Sequence, residues 1–185
     1  IAADGGANRL YEAGHGVQVV VGDFDSAIST LAGGPHEVVS DPDESRTDCD
    51  KLLAYVAAEG FPSVTLIGVE GDLPDHVLAS LHSAAASKLA VRIAFRRGLG
   101  WIVRSGDTLE VACEPGTRVS LLPLERCEGV VLRGVRWELR DASLAPQGTK
   151  SISNQSMGER VSVEIGEGVA LLFVETPIDA PPTWD

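Results

Sequence analysis

The chain has 185 residues, 27 acidic against 15 basic side chains, a formal net charge of −12 and 44% apolar residues. It is long and apolar enough to bury the core of one ordinary domain or two small ones, which excludes general disorder, and both halves are acidic, which excludes nucleic-acid binding by bulk charge. No run approaches the roughly 20 apolar residues that span a bilayer, and Cys49, Cys113 and Cys127 lie at wide spacing without a zinc-type pair, so free thiols in a cytoplasmic protein with no membrane partner are expected.

The chain opens on Ile1-Ala2-Ala3, which reads as a strand end and predicts a further strand ahead of it that the sequence lacks. Ala3-Asp4-Gly5-Gly6-Ala7-Asn8 follows that end. The run Val17-Gln18-Val19-Val20-Val21 predicts the next strand, and Gly22-Asp23-Phe24-Asp25-Ser26 comes directly after it. Two carboxylates one residue apart at a strand's carboxyl end can converge on a hard cation, with the glycine admitting a phosphate; equally, Asp25 or Ser26 can cap a helix from a surface turn. A third strand, His36-Glu37-Val38-Val39, leads into an acidic segment, 41–51, that opens a helix over 50–59. There Thr47 or Asp48 can cap the helix, Asp48 can complete a cation site with Asp23 and Asp25, and Lys51, one turn in, can reach a phosphate; a solvated acidic loop is the alternative. The strand Val64-Thr65-Leu66-Ile67, the loop Gly68-Val69-Glu70-Gly71-Asp72-Leu73-Pro74-Asp75-His76, a helix over 76–89 and the strand Ala90-Val91-Arg92-Ile93-Ala94-Phe95 complete the alternation. Strand-helix repetition predicts a parallel sheet covered by helices, with four acidic, glycine-bearing loops gathered at one edge, where such sheets bind ligands.

Beyond Arg97 the pattern changes to short β-rich segments punctuated by glycine, such as Leu109-Glu110-Val111-Ala112-Cys113 and the period-two run Val161-Ser162-Val163-Glu164-Ile165. The expected fold is therefore α/β, an N-terminal parallel-sheet domain over 1–97 followed by a C-terminal all-β sandwich domain over 98–185, with a loosely held tail from 177. A Walker-type phosphate loop and a nucleophile elbow are both missing from the sequence.

Ala3-Asp4-Gly5-Gly6-Ala7-Asn8-Arg9-Leu10-Tyr11, Gly22-Asp23-Phe24-Asp25-Ser26, Thr47-Asp48 with Lys51, and Asp75-His76 resemble, in order and spacing, the motifs of thiamine pyrophosphokinase. In the β-rich half, Gly134-Val135-Arg136-Trp137-Glu138-Leu139 and Ser151-Ile152-Ser153-Asn154 look like that family's C-terminal signatures, so the resemblance covers nearly the whole chain. It implies a homodimer that transfers the terminal two phosphates of ATP to the thiamine hydroxyl with Mg²⁺, releasing AMP. By position it implies that Asp23, Asp25 and Asp48 hold the metal and serve catalysis. It likewise places Asp4, Gly5, Gly6, Asn8, Ser26, Thr47, Lys51 and Asp75 at ATP or substrate, and Trp137, Ser151, Ser153 and Asn154 toward thiamine. An acidic pocket suits a thiazolium cation, and Trp137 can add a cation–π contact or serve as a core aromatic of the sandwich.

Two positions depart from the family pattern: Leu73 stands where an arginine usually precedes the Asp-His pair, and Ser45 where an acidic residue is common. Arg46 or Lys51 can compensate for the first, though an ammonium does not reproduce a bidentate fork. Two other readings stay open, a pyrophosphokinase for another heteroaromatic alcohol such as a hydroxymethylpterin, and a lapsed enzyme that binds thiamine or nucleotide without turnover.

Overall fold

The computed structural model describes residues 1–24, 37–71 and 73–176; Asp25, Ser26, His36, Asp72 and the tail from 177 lie outside the described residues. The chain divides into two compact units, Ile1–Val64 with Gly71–Leu89, and Thr65–Glu70 with the chain from Ala90 onward.

The first unit carries β1 (Ala2–Ala3), α1 (Asp4–Glu12), β2 (Val19–Gly22), β3 (Glu37–Ser40), α2 (Asp48–Ala58) and α3 (Pro74–Ala86). β1, β2 and β3 pair in parallel and in that order, with Ala3 opposite Val21 and Gly22 opposite Ser40. Parallel strands are covered on both faces, and the β-branched run of β2 meets that demand with Val20 and Val21 fully buried. Val20 packs with Ala2, Ala7 and Val17, and Leu10, Tyr11 and Phe24 close around them.

α2 begins at a full capping box: Thr47 Oγ1 accepts from the Asp50 amide at 3.1 Å and the Asp50 carboxylate accepts from the Thr47 amide at 3.0 Å. These bonds satisfy two of the amides that every helix start leaves without an intrahelical partner. α3 starts differently, with Pro74 in its first turn and no side-chain cap, a position where the missing proline N–H costs nothing. Ser83 on α3 lies 3.3 Å from Thr47 Oγ1 and so meets the α2 cap directly.

β4 (Ser63–Ile67) and β5 (Ala90–Phe95) differ from the sequence expectation. They pair in a six-stranded sheet of order β11-β8-β13-β6-β5-β4 rather than in the parallel sheet. The cause is local: only Arg96 and Arg97 separate β5 from β6 (Gly98–Arg104), so an antiparallel hairpin with Phe95 opposite Gly98 closes at little entropic cost.

The second unit adds β7 (Thr108–Ala112), β8 (Arg118–Pro123), β9 (Cys127–Arg133), β10 (Leu139–Leu144), β11 (Ser151–Gln155), β12 (Arg160–Glu164) and β13 (Val169–Glu175). A four-stranded antiparallel sheet of order β10-β9-β12-β7 faces the six-stranded one. Both contribute to one core, Val111, Val130, Leu132, Val161 and Val163 from the first and Val103, Val119, Leu121, Ala170, Leu172 and Val174 from the second. Alternate residues of each strand point inward, which is the period-two pattern of 161–165 made physical. The architecture is the expected one, an α/β unit with a parallel sheet and an all-β sandwich.

Candidate active site

Three loops at the carboxyl end of the parallel sheet carry the acidic residues singled out from sequence. Asp4 starts α1 directly from β1, Asp23 follows β2, and Asp41 follows β3. The fourth loop, 68–76, follows β4, which belongs to the six-stranded sheet, so four loops at one edge of one sheet are not what forms.

Asp4 is only 2% exposed, and its side chain lies against Gly22. A Cβ on Gly22 would sit 2.7 Å from the Asp4 Cβ, so the glycine of the Gly22-Asp23 loop is required by the carboxylate one strand away. Gly22→Ala is expected to destabilise the protein by about 1–3 kcal/mol through overpacking at this contact. Chemical denaturation measures it, and unchanged stability would show that Asp4 can move aside. Gly5 and Gly6, in the first turn of α1, would meet nothing within 4 Å if they carried a Cβ, and no side chain caps that helix. The N-terminal turn of α1 therefore has exposed, sterically open backbone, the surface that a helix start offers to an anion. Asn8 is half-buried on the next turn.

Phe24 has a φ of +61°, an uncommon left-handed conformation for a bulky residue. It turns the backbone immediately after Asp23 while its ring packs onto the core of the first unit. Asp23 is thus held between a strand end and an anchored turn.

Lys51 is 1% exposed, and its Nζ lies 2.5 Å from Asp23 Oδ2. The hydrogen bond to Asp23 raises the Lys51 pKa above its ordinary value against the opposing effect of desolvation, and the fields of Asp48 and Asp41 add to the rise. Charge on the ammonium is therefore kept at neutral pH, and the pair's contribution is lost only as pH climbs through the raised lysine value. Asp23 at the end of β2 is bonded to this ammonium, while Asp48 at the start of α2 and Asp41 after β3 act on it through space by their charge. Arg46 is engaged as well, donating to Asp41 Oδ2 and to the Asp50 carbonyl at 3.0 Å each. Burial pulls the Asp50 carboxyl upward, but hydrogen bonds from Ser83 and Thr47 outweigh it, and the group ends below its ordinary value.

A divalent cation is tested by its donor set. Asp23 and Asp48 offer hard carboxylate oxygens, the donor type Mg²⁺ takes, with Asp23 Oδ2 already bonded to Lys51; Asp25 lies outside the described residues. Among the described residues no three carboxylate, histidine or cysteine side chains form a closed metal cluster. Leu73 is 63% exposed at the start of α3, and Asp75 and His76 are exposed beside it. A guanidinium does reach this loop from elsewhere: a Cβ on Gly71 would run into Arg9 Nη1 of α1. Ser45 donates its amide and hydroxyl to Asp43 at 3.0 and 2.6 Å, which holds that carboxyl below its usual range.

The second unit gathers the other predicted residues. Asn154 is 2% exposed and fully engaged. Its Oδ1 accepts from the Trp137 amide at 3.1 Å and from the Gln155 amide at 2.9 Å, while Nδ2 donates to the Trp137 carbonyl at 2.8 Å and to Ser151 Oγ at 3.2 Å. One buried amide thereby fixes the main chain of Trp137 on both sides. The Trp137 ring is 57% exposed, so it is not a core aromatic of the sandwich. Further bonds sew this segment to the end of β11, the Arg136 amide to the Gln155 carbonyl at 2.8 Å and the Met157 amide to the Gly134 carbonyl at 2.9 Å. Gly134 has a φ of +76°, and Glu138 closes the turn by accepting from its amide at 3.2 Å. That bond first, and Arg140 second, keep the Glu138 carboxyl below its ordinary value.

Between Ser151 and Asn154 the pairing with β8 slips by one residue, with Ser151 opposite Leu121 and Asn154 opposite Val119. Ser153, in the bulge, has a φ of +58°. Its amide donates to Ser120 Oγ at 3.0 Å and its hydroxyl accepts from Arg118 Nη2 at 2.6 Å. A non-glycine residue held left-handed inside a bulge is local strain that the surrounding bonds must offset. Sequence reading missed Arg118, Ser120, Phe24 and the burial of Lys51. The burial of Lys51 left no periodic signal, since it lies two and five residues from the buried Leu53 and Val56 and so off their helical face.

Comparison with known proteins agrees with this layout. Residues 1–95 match the family model of the thiamin pyrophosphokinase catalytic domain, and residues 108–170 match that of the thiamin pyrophosphokinase vitamin B1 binding domain. Among solved structures, the chain is similar to thiamine pyrophosphokinase from Bacillus subtilis at 19% identity and a TM-score of 0.78, covering 94% of this chain and 86% of that one. A thiamin pyrophosphokinase family protein from Enterococcus faecalis matches at 22% identity and a TM-score of 0.77, covering 94% and 86%. Thiamin pyrophosphokinase from Candida albicans matches at 16% identity and a TM-score of 0.79, covering 95% and 82%. With both family models matched in order along one chain whose two units have the corresponding folds, the chain belongs to the thiamin pyrophosphokinase family of enzymes.

Proposed function

We propose that this chain transfers a pyrophosphoryl group from ATP to the hydroxyl of thiamine with Mg²⁺, giving thiamine diphosphate and AMP. The observation that carries the reading is the buried Lys51 ammonium bonded to Asp23 at the end of β2, in the field of Asp48 at the start of α2 and Asp41 after β3. In the reaction the thiamine oxygen bonds to the β-phosphorus, the bond from that phosphorus to the α–β bridging oxygen breaks, AMP leaves with that oxygen, and the hydroxyl proton is released. Little covalent chemistry falls to the protein, so alignment and charge carry the rate. Asp23, Asp25 and Asp48 would hold Mg²⁺, whose charge offsets that of the triphosphate. Lys51 fixes the Asp23 carboxylate, and Thr47 and Asp50 fix the start of α2 and with it Asp48. The open first turn of α1, with Asp4, Gly5, Gly6 and Asn8, lies at the neighbouring strand end, and Ser26 and Asp75 complete the proposed nucleotide and substrate contacts. Arg9, whose guanidinium lies against Gly71 in the loop ahead of Leu73, would address phosphate in place of the family arginine.

On the β unit, Trp137, Ser151 and Asn154 form one bonded cluster, with Ser153 in the adjoining bulge bonded to Ser120 and Arg118, and we assign thiamine to these four residues. Exposed Ile152 and Met157 beside exposed Trp137 leave apolar surface that a homodimer contact would cover. Three free cysteines suit a reducing cytoplasm, and among the described residues no helix is long and apolar enough to cross a membrane. Of these, Cys49 is a half-buried thiol whose pKa is pushed up to about 11 by desolvation first and by Asp50 second.

Incubation with ATP, Mg²⁺ and thiamine, with both products quantified, tests the reading. Equimolar AMP and thiamine diphosphate are expected. AMP formed only with a hydroxymethylpterin would move the substrate assignment, and thiamine binding without AMP would identify a lapsed enzyme.

A further inference from the structure

The Arg136 guanidinium carbon sits 4.9 Å from the centroid of the Trp137 ring. Arg136 makes no ion pair among the described residues, although the protein is strongly acidic and Glu138 lies two residues away, bonded instead to Gly134 and Arg140. Its charge is spent on the indole face. Trp137 cannot turn from this contact by shifting its main chain, because Asn154 clamps both its amide and its carbonyl. The exposed ring thus stands on a fixed main chain with a flat cation already on one face.

Resting on the assignment of thiamine to Trp137, we propose that Arg136 is a built-in competitor for that face, an internal stand-in for the thiazolium, which thiamine must displace to stack. A guanidinium and a thiazolium are both planar delocalised cations attracted by the same negative face of the ring quadrupole. Any ring that stacks there forfeits the arginine contact, and only a cationic ring regains an equivalent one. Arg136 therefore lowers the affinity for thiamine itself while setting a threshold that a neutral heteroaromatic alcohol does not meet. Displacement leaves Arg136 a solvated residue, so the device needs no other part of the fold to move.

Calorimetric titration of the full chain with thiamine tests this using Arg136→Gln and Trp137→Ala. The side chain is exposed, and a melting curve confirms that the glutamine variant folds. Removing a surface cation–π competitor should tighten thiamine binding about two- to fivefold, with the KM for ATP unchanged. Arg136→Lys, a cation without the planar stack, should fall between wild type and glutamine. Weaker binding in Trp137→Ala together with tighter binding in Arg136→Gln supports the competitor. Weaker binding in Trp137→Ala with unchanged or weaker binding in Arg136→Gln overturns it and leaves the thiamine assignment standing. Unchanged binding in Trp137→Ala overturns both.

Discussion

Asp23→Asn should cut kcat by on the order of 10³-fold and lower the melting temperature in the same protein. The kinetic loss follows from removing one charge from the proposed metal site, where the reaction depends on electrostatic alignment of the triphosphate. The stability loss is specific to this structure. Asp23 is the hydrogen-bonded counter-charge of Lys51, and Lys51 is 1% exposed while the Asp23 side chain is 25% exposed. Breaking such a pair is therefore asymmetric: loss of the aspartate strands a buried ammonium, whereas loss of the lysine leaves a carboxylate that still reaches water. Lys51→Met alone should melt closer to wild type than Asp23→Asn does. In the double variant Asp23→Asn/Lys51→Met the melting temperature should recover and turnover should not. Steady-state kinetics at saturating Mg²⁺ and thermal melts of the three proteins separate the two roles. A kcat for Asp23→Asn within a few-fold of wild type would sink the metal assignment, and an unchanged melt would show that Lys51 does not depend on Asp23.

Legibility from sequence tracked the range of the interactions involved. The α2 start was readable because a capping box is written in four consecutive residues, Thr47 to Asp50, and its bonds are local. The valine run of β2 and the alternation of β12 were readable for the same reason. The sheet to which β4 and β5 belong was not, since a β-branched run carries no label for its partner; the two-residue link to β6 decided it. At the site, Asp23 and Asp48 were visible as strand-end and helix-start carboxylates. Lys51 was visible as a cation for phosphate, but its bond to Asp23 was not, because the two meet across 28 residues of chain. Trp137 was equally open to core and thiamine-contact readings, and the Asn154 bonds that hold its main chain come from 17 residues away, out of reach of local pattern. Ser153 gave no sign of its left-handed backbone, which arises from a bulge against β8 rather than from its own preference.

Asn154→Ala should have the largest effect on the β unit. The side chain serves four bonds in one buried place, and its orientation is forced, since the Trp137 amide can only meet an acceptor and the Trp137 carbonyl only a donor. Truncation leaves both groups of that peptide segment without their partner and removes the donor to Ser151. At about 1–3 kcal/mol for each half-buried group left unsatisfied, and with some relief from water reaching the exposed loop, the loss should be about 2–4 kcal/mol in denaturant unfolding. Under the proposed thiamine assignment, a Trp137 that is no longer held spends part of its time away from the stacking geometry, so the KM for thiamine should rise roughly tenfold or more, with the KM for ATP unchanged. Asn154→Asp separates holding from mere packing. It has nearly the same shape and still accepts from the Trp137 amide, but it turns a carboxylate oxygen onto the Trp137 carbonyl where a donor stood. Its thiamine KM should therefore rise as well, although no cavity is made. If Asn154→Ala loses stability while thiamine KM stays at the wild-type value in both variants, the clamp on Trp137 is structural only, and thiamine does not use the ring it holds.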